Sequence, residues 1–194
     1  MSAIHLLPLG NPRPDLVEGV SRPLEQAFRV DVESRDVDVD LEQFFDAARG
    51  QYNSTRLLMH LKQAYAAGFG NRDPKVLAII PHDLFIPILT YVFGEAEVAG
   101  NVAVVSYYRL APERYGLSQD RKLLQERLVK EAIHELGHAY SLIHCSRQDC
   151  VMHASSYVEE IDLKGRSFCK DCEKGLGYSR QFNGPRDGSG VVSS

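Results

Sequence analysis

Hydrophobic and polar positions along the first three quarters of the chain follow two alternating patterns. Short apolar runs over 4–9 and 75–81 are bounded by Gly or Pro, which is typical of buried strands. The segment 16–28 has apolar residues at three- and four-residue spacing, which predicts an amphipathic helix. The same patterns predict a strand within 29–39, a helix beginning at Leu41 and a helix capped by Asn53 or Ser54. Alternating strands and helices indicate an α/β layer with a largely parallel sheet.

Two strand-like stretches, 91–99 and 101–110, are separated only by Gly100. A connection this short joins antiparallel neighbours, so the first stretch is predicted to run antiparallel at an edge of the sheet. From Gln119 the pattern is helical for more than about twenty residues, with a broad apolar face. After His144 the chain consists of short segments rich in Cys, Gly and Ser, which indicate a helix-poor C-terminal part.

Length and composition indicate an ordinary globular protein. The 194 residues are 44% apolar and 25% charged, enough for one domain with a small lobe attached. We predict an N-terminal subdomain over 1–144, a C-terminal lobe over 145–182 and a flexible tail over 183–194. A net charge of −4 does not indicate a protein that binds nucleic acid, which requires an excess of basic residues.

The apolar runs are far shorter than the roughly 20 residues that a membrane-spanning helix requires. No basic residue precedes Arg13, so the N-terminus lacks the pattern of a secretory signal. We therefore expect a cytoplasmic protein that makes no contact with a membrane.

The pattern H-E-x-x-H occurs at His134-Glu135-Leu136-Gly137-His138, within the long predicted helix. Four residues advance a helix by about 400°, so the two imidazoles project from one face and can share a zinc ion. Glu135 projects about 100° away from His134, which places its carboxylate beside the metal. From there it can take a proton from a zinc-bound water molecule, whose pKa the ion lowers to near 7.

His144 follows His138 by six residues and extends the pattern to H-E-x-x-H-x-x-[G]-x-x-H, which resembles the metzincin class of zinc peptidases. On an unbroken helix His144 would be about 80° from the metal-facing direction, so the helix must end before it. Metzincins have glycine where this chain has Ser141. A serine in the left-handed conformation costs roughly 1–2 kcal/mol, which weakens the hold on the third ligand.

Four cysteines form two close pairs, Cys145 with Cys150 and Cys169 with Cys172. Each pair can supply half of a tetrahedral thiolate set around a structural zinc ion. Two disulfides and a redox-active C-x-x-C are the alternatives. The expected reducing compartment disfavours the disulfides, and no thioredoxin-like strand precedes the C-x-x-C. We assign a structural role to this second zinc, because metal binding would supply folding free energy that so short a segment lacks.

Together with the histidine motif, these cysteines and Met152 resemble the archaemetzincin family over the stretch from His134 to Cys172. The resemblance implies an α/β (α+β), metzincin-like fold. Its parts would be a mixed, mostly parallel twisted sheet with an antiparallel edge strand, a long active-site helix and a small zinc-stapled C-terminal lobe. It also implies that Met152 packs in a tight turn beneath the ligand histidines.

We therefore expect a monomeric zinc peptidase with two zinc ions, one held by His134, His138 and His144 and one by the cysteines. A peptide or protein substrate would lie along the edge strand, with Glu135 activating the water. One alternative is a catalytically weakened zinc- or peptide-binding protein of the same fold, which Ser141 favours. A zinc-ribbon module for nucleic acid is disfavoured, because seven basic and seven acidic residues cancel between Cys145 and Asp187.

Some further residues are weaker candidates for a role in the site. His153 could meet substrate or metal, and Tyr157 or Tyr178 could stabilise an oxyanion. The remaining histidines have no ligand partner at a recognisable spacing and are treated as structural: His5, His60 and His82.

Overall fold

A five-stranded sheet forms the centre of the fold. The computed structural model describes residues 3–66 and 74–182. The order of the strands is β2 (Val32–Ser34), β1 (Ile4–Pro8), β5 (Lys75–Ile80), β8 (Val102–Ser106) and β7 (Gly94–Ala96). The first four are parallel, and β7 pairs antiparallel with β8 at an edge. The mostly parallel sheet with an antiparallel edge strand is confirmed.

Helices cover both faces of this sheet. Helices α1 (Pro14–Phe28) and α3 (Arg121–Ala139) share one core with alternate residues of β5 such as Leu77. Helix α2 (Ser54–Ala66) packs on the other face, with intervening residues such as Ala78. Because successive strand residues point to opposite faces, a sheet covered on both sides needs continuous apolar runs.

Several elements differ from the predicted ones. The helix expected at Leu41 is a short 3-10 helix, Leu41–Phe44, and the edge strand is limited to β7. The stretch predicted as strand up to residue 110 ends as a strand at Ser106 and continues as a 3-10 helix, Tyr108–Leu110. Another 3-10 helix, Pro112–Tyr115, follows after Ala111.

A second, small sheet was not predicted. Its strands are β3 (Phe45–Asp46), β4 (Gln51–Asn53) and β6 (Leu84–Phe85). Strands β3 and β4 are antiparallel, whereas β4 and β6 are parallel. Strands of two or three residues are too short to show a hydrophobic period, so the chain pattern carries no signal for them.

The expectation of a helix-poor C-terminal part was wrong. Helices α4 (Val158–Leu163) and α5 (Lys170–Phe182) follow the histidine motif. Buried residues of this part, among them Val151, Ile161 and Leu176, belong to the core that contains α1 and α3. The boundary near His144 stays a prediction, and the segment 183–194 lies outside the described residues.

Candidate metal centres and active site

Helix α3 carries the first two histidines of the motif on one buried face. Asp120 caps its N-terminus by accepting a hydrogen bond from the Leu123 N–H at 2.9 Å. The Nε2 atoms of His134 and His138 lie 3.1 Å apart. A tetrahedral site with metal–nitrogen bonds of 2.0–2.1 Å has nitrogen–nitrogen edges of about 3.3 Å, so this spacing fits a shared zinc ion.

The helix ends where the third ligand requires it to end. Ser141 has a φ of +72°, the left-handed conformation predicted for it. Its N–H donates to the His138 carbonyl at 2.8 Å, and the next N–H, of Leu142, donates to the Gly137 carbonyl at 2.9 Å. This bond pair is a Schellman termination, which turns the chain sharply. The turn brings His144 back toward the two histidines of α3, so that the ligand atoms of all three lie within 4.8 Å of one another.

Main-chain carbonyls orient two of these rings. The Nδ1 atom of His134 lies 2.9 Å from the Val151 carbonyl, and Nδ1 of His138 lies 2.8 Å from the Leu142 carbonyl. With a proton on each Nδ1, both Nε2 atoms are left as lone-pair donors toward the metal position. Burial lowers the pKa of each of the three histidines, and the nearby Lys164 ammonium acts in the same direction. Both effects favour the neutral imidazole, the form that binds zinc.

Glu135 is buried beside this cluster, against the edge strand. A Cβ added at Gly94 of β7 would lie 2.6 Å from its Cγ and 2.8 Å from its Oε1. Any side chain at position 94 would therefore displace the carboxylate, a constraint that the chain pattern did not reveal. Burial raises the pKa of Glu135 well above its ordinary range, and the charge of Glu131 adds to this effect.

Met152 is fully buried and packs against α3 from the side opposite β7. Its sulfur atom occupies the space that a side chain at Gly137 would need. The Met152 carbonyl accepts a hydrogen bond from the Cys145 N–H at 2.9 Å, which closes the loop between the third histidine and the methionine. Gly137 and Met152 thus set the distance between the active-site helix and this loop.

The four cysteines converge in a second cluster, and none of them is in a disulfide. The Sγ atoms of Cys145 and Cys169 lie 3.8 Å apart, as do those of Cys150 and Cys172. A tetrahedron with metal–sulfur bonds of about 2.3 Å has edges of about 3.8 Å, so the cluster fits a zinc ion. Cys169 directly precedes α5, and the backbone N–H of Cys172 lowers the pKa of the Cys169 thiol to about 7.

A buried ion pair next to the histidine cluster was missed by the sequence analysis. The Nζ atom of Lys164 lies 2.8 Å from Oε1 of Glu131, and both side chains are almost fully buried. The same Nζ donates to the His153 carbonyl at 3.2 Å. Glu131 precedes Glu135 by one helical turn, which was a detectable signal, whereas nothing in the pattern around Lys164 pointed to burial.

The weaker candidates are placed as follows. Nδ1 of His153 lies 3.0 Å from the Cys145 carbonyl, and His153 is not part of either ligand cluster. Tyr157 is 65% exposed, and the side chain of Tyr178 lies outside the described residues. His5 is buried, and His60 and His82 contact aromatic rings of the small-sheet region.

Comparisons with known proteins identify the family of this chain. A family model described as peptidase family M54 matches residues 28–177. The archaemetzincin of Methanocaldococcus jannaschii is 34% identical over 173 residues, which are 89% of this chain and 92% of that protein. The chain belongs to this archaemetzincin family. It is therefore a member of a family of zinc metallopeptidases.

Two solved structures show that the archaemetzincin fold extends over most of the chain. A zinc-dependent peptidase from Methanocorpusculum labreanum has 31% identity and a TM-score of 0.81, and the match covers 89% of this chain and 99% of that one. The archaemetzincin of Archaeoglobus fulgidus, crystallised with malonate, has 34% identity and a TM-score of 0.73, with the same coverage. Among the described residues, no helix is both long and apolar enough to span a bilayer.

Proposed function

We propose that this protein hydrolyses peptide bonds, with His134, His138 and His144 holding a catalytic zinc ion and Glu135 acting as general base. The observation that carries the proposal is the convergence of three neutral imidazoles beside a buried carboxylate. A zinc ion bound there polarises a carbonyl group and acidifies water. The chain itself supplies the orientation of the ligands and the group that moves the proton.

Glu135 is suited to proton transfer by its position. It is not one of the three clustered ligands, and its side chain lies against Gly94 of the edge strand. A carboxylate in this place accepts a proton from the attacking water and can deliver it to the leaving amine.

The substrate would add to β7 as a further strand. An extended peptide can form main-chain hydrogen bonds with an exposed sheet edge, and β7 is the edge strand that passes over Glu135. This mode of binding supports a peptide or protein as the substrate and requires no particular side chain next to the bond that is cut.

The cysteine cluster would hold a second zinc ion with a structural role. Its four thiols saturate a tetrahedral ion and leave no position for substrate. The cluster joins the loop after His144 to the start of α5, through Cys145 with Cys169 and Cys150 with Cys172. Two zinc ions per chain are therefore expected, in a monomeric cytoplasmic protein.

A catalytically weakened, peptide-binding protein is the second candidate. The left-handed Ser141 favours it, because strain at the helix end weakens the hold on His144. This candidate keeps substrate binding along β7 and the thiolate zinc, but it predicts little or no turnover with the histidine site loaded.

Substitution of the proposed base distinguishes the two candidates. Glu135→Gln should lower kcat by about 10²–10⁴-fold and leave zinc affinity at the histidine site nearly unchanged, because only proton transfer is lost. His138→Ala should remove both zinc binding at that site and hydrolysis. The measurements are turnover of a mixed peptide library by mass spectrometry and zinc titration of each variant.

Glu126→Gln is the matched control, since Glu126 is exposed on the same helix. It should behave as the parent does. Cleavage by the Glu135→Gln variant at the parental rate would refute the role of Glu135. A fully zinc-loaded parent that cleaves nothing would favour the binding protein.

A further inference from the structure

The free edge of β7 is short. The Phe93 carbonyl accepts a hydrogen bond from β8 at 2.8 Å, and the Glu97 N–H donates one to β8 at 3.1 Å. Main-chain groups alternate in direction along a strand, so those of Gly94 and Ala96 point away from β8. These two residues therefore offer their N–H and C=O groups to an added peptide strand.

One end of this edge is already occupied. The Val92 N–H donates to the Leu84 carbonyl of β6 at 3.0 Å, and the two residues form an antiparallel bridge. Val92 precedes Gly94 by two residues, and its N–H bonds to β6 instead of to β8. Strand β6 thus ends the available edge two residues from the position opposite Glu135.

A second contact crosses the cleft at the same end. The histidine site lies between β7, which contacts Glu135, and the Met152 loop, which packs under Gly137. The Tyr91 hydroxyl donates to the carbonyl of Ser156, four residues beyond Met152, at 2.9 Å. This bridge joins the two walls of the cleft, directly beyond the point where β6 closes the edge.

Tyr91 is held in this position by charged and polar neighbours. The Arg109 guanidinium stacks over its ring at 4.1 Å and donates two hydrogen bonds of 2.6 Å to Asp83. Gln51 donates both to Asp83 and to the Thr90 carbonyl, each at 3.0 Å. The Tyr91 bridge therefore rests on a fixed framework.

We propose that the cleft accepts no more than two residues on the C-terminal side of the bond that is cut, so that the enzyme removes short pieces from the C-terminus of peptides. A strand added to β7 in the commoner antiparallel sense directs its C-terminus toward Val92. Val92 lies two residues before Gly94, and two residues of extended chain span at most about 7 Å. This inference rests on the proposed hydrolysis of peptides.

The first test is a peptide series cut by the zinc-loaded protein. Peptides share one N-terminal sequence and one scissile bond, and carry one, two or four residues beyond that bond. The two-residue substrate should have a kcat/KM about tenfold or more above that of the four-residue substrate. The longer one would meet the barrier, which is formed by β6 and the bridge from Tyr91 to Ser156. A mirror series that varies the N-terminal side should show no such limit. Equal rates with two and four residues, or a limit on the N-terminal side, would overturn the proposal.

A binding series separates this inference from the proposed hydrolysis. The probes are hydroxamates whose metal-binding group is followed by one, two or four residues. They bind to the zinc ion without being cleaved, so their affinity is measured independently of turnover. Affinity should rise from one residue to two, and then fall about tenfold or more with four. Constant or rising affinity with four residues would overturn the barrier. Absence of cleavage together with the expected affinities would refute hydrolysis but leave the barrier established.

Variants of Tyr91 show whether the bridge forms the barrier. Tyr91→Ala should raise kcat/KM for the four-residue substrate about tenfold relative to the two-residue substrate, and Tyr91→Phe, which loses only the hydrogen bond, should have a smaller effect in the same direction. Tyr108→Phe is the matched control and should leave the ratio unchanged. An unchanged ratio in Tyr91→Ala would show that Tyr91 does not set the length limit.

Discussion

At the scale of single residues, Ser141 and Gly94 shape the active site without touching a metal ion. Ser141 ends the helix in a conformation that glycine adopts freely, and it separates two ligand histidines. Gly94 leaves the space that the Glu135 carboxylate fills. Ser141 acts through its backbone conformation and Gly94 through the side chain that it lacks, and each decides where a functional group lies.

Ser141→Gly should tighten zinc binding at the histidine site by up to about tenfold, because relief of 1–2 kcal/mol of strain steadies His144. Glycine also increases the freedom of the unfolded chain, which offsets part of the gain in stability. Zinc titration after selective removal of the histidine-site metal measures the effect. Ser118→Gly, at an exposed position without positive φ, is the control. Equal affinities in parent and Ser141→Gly would show that this strain does not limit the site.

At the scale of elements, polar contacts attach α4 to the active-site helix. The buried Arg127 guanidinium donates to Asp162 at 2.7 Å and 2.6 Å, one turn before the pair of Glu131 and Lys164. Lys130 donates to carbonyls at the end of α4. Because Lys164 also donates to the His153 carbonyl, this attachment extends to the loop beneath the ligand histidines.

Removal of one partner of the buried pair should be costly. Lys164→Met should lower the free energy of unfolding by about 3–5 kcal/mol, because it leaves the Glu131 carboxylate buried without a counter-charge. The double variant Glu131→Leu with Lys164→Met should recover most of that loss. Urea denaturation of the zinc-loaded proteins in a double-mutant cycle tests this, with exposed Lys170→Met as control. Additive losses in the double variant would contradict a direct interaction.

At the scale of the whole molecule, the two candidate metal centres are neighbours along the chain. His144 and Cys145 are adjacent, and His153 contacts the carbonyl of Cys145. Ordering of the cysteine cluster therefore fixes the chain that leaves the third histidine. The histidine site has two of its three ligands on the already folded α3, so the fold does not depend on its metal in the same way.

Zinc removal should therefore be asymmetric. Mild chelation should remove the histidine-site zinc reversibly and leave the fold intact, whereas Cys172→Ser should lose the thiolate zinc, lower the Tm and weaken the histidine site as well. His138→Ala is the matched comparison and should keep one zinc per chain and nearly the parental Tm. Metal analysis together with thermal unfolding checks both. Parental zinc content and Tm in Cys172→Ser would contradict a structural role for the cluster.

The sequence by itself determined the main sheet and its helices, the end of the active-site helix and both ligand clusters. The strands follow from continuous apolar runs, and the histidine cluster follows from ligands close enough in sequence that one helix end brings them together. The cysteines were predicted from two close pairs, which the fold then joins, Cys145 with Cys169 and Cys150 with Cys172. Helix geometry required the helix to end between His138 and His144, and the resemblance to metzincins, which have glycine at this place, assigned the left-handed conformation to Ser141.

Only the tertiary structure decided what surrounds the ligands. Gly94 of β7 contacts Glu135 of α3, Lys164 pairs with Glu131, 33 positions earlier, and Tyr91 bonds to Ser156, 65 positions later. The small sheet, whose strand β6 occupies one end of the edge of β7, consists of two- and three-residue strands. Such contacts depend on how separate elements pack against one another. The local sequence pattern does not predict them, because each partner is an ordinary residue within its own segment.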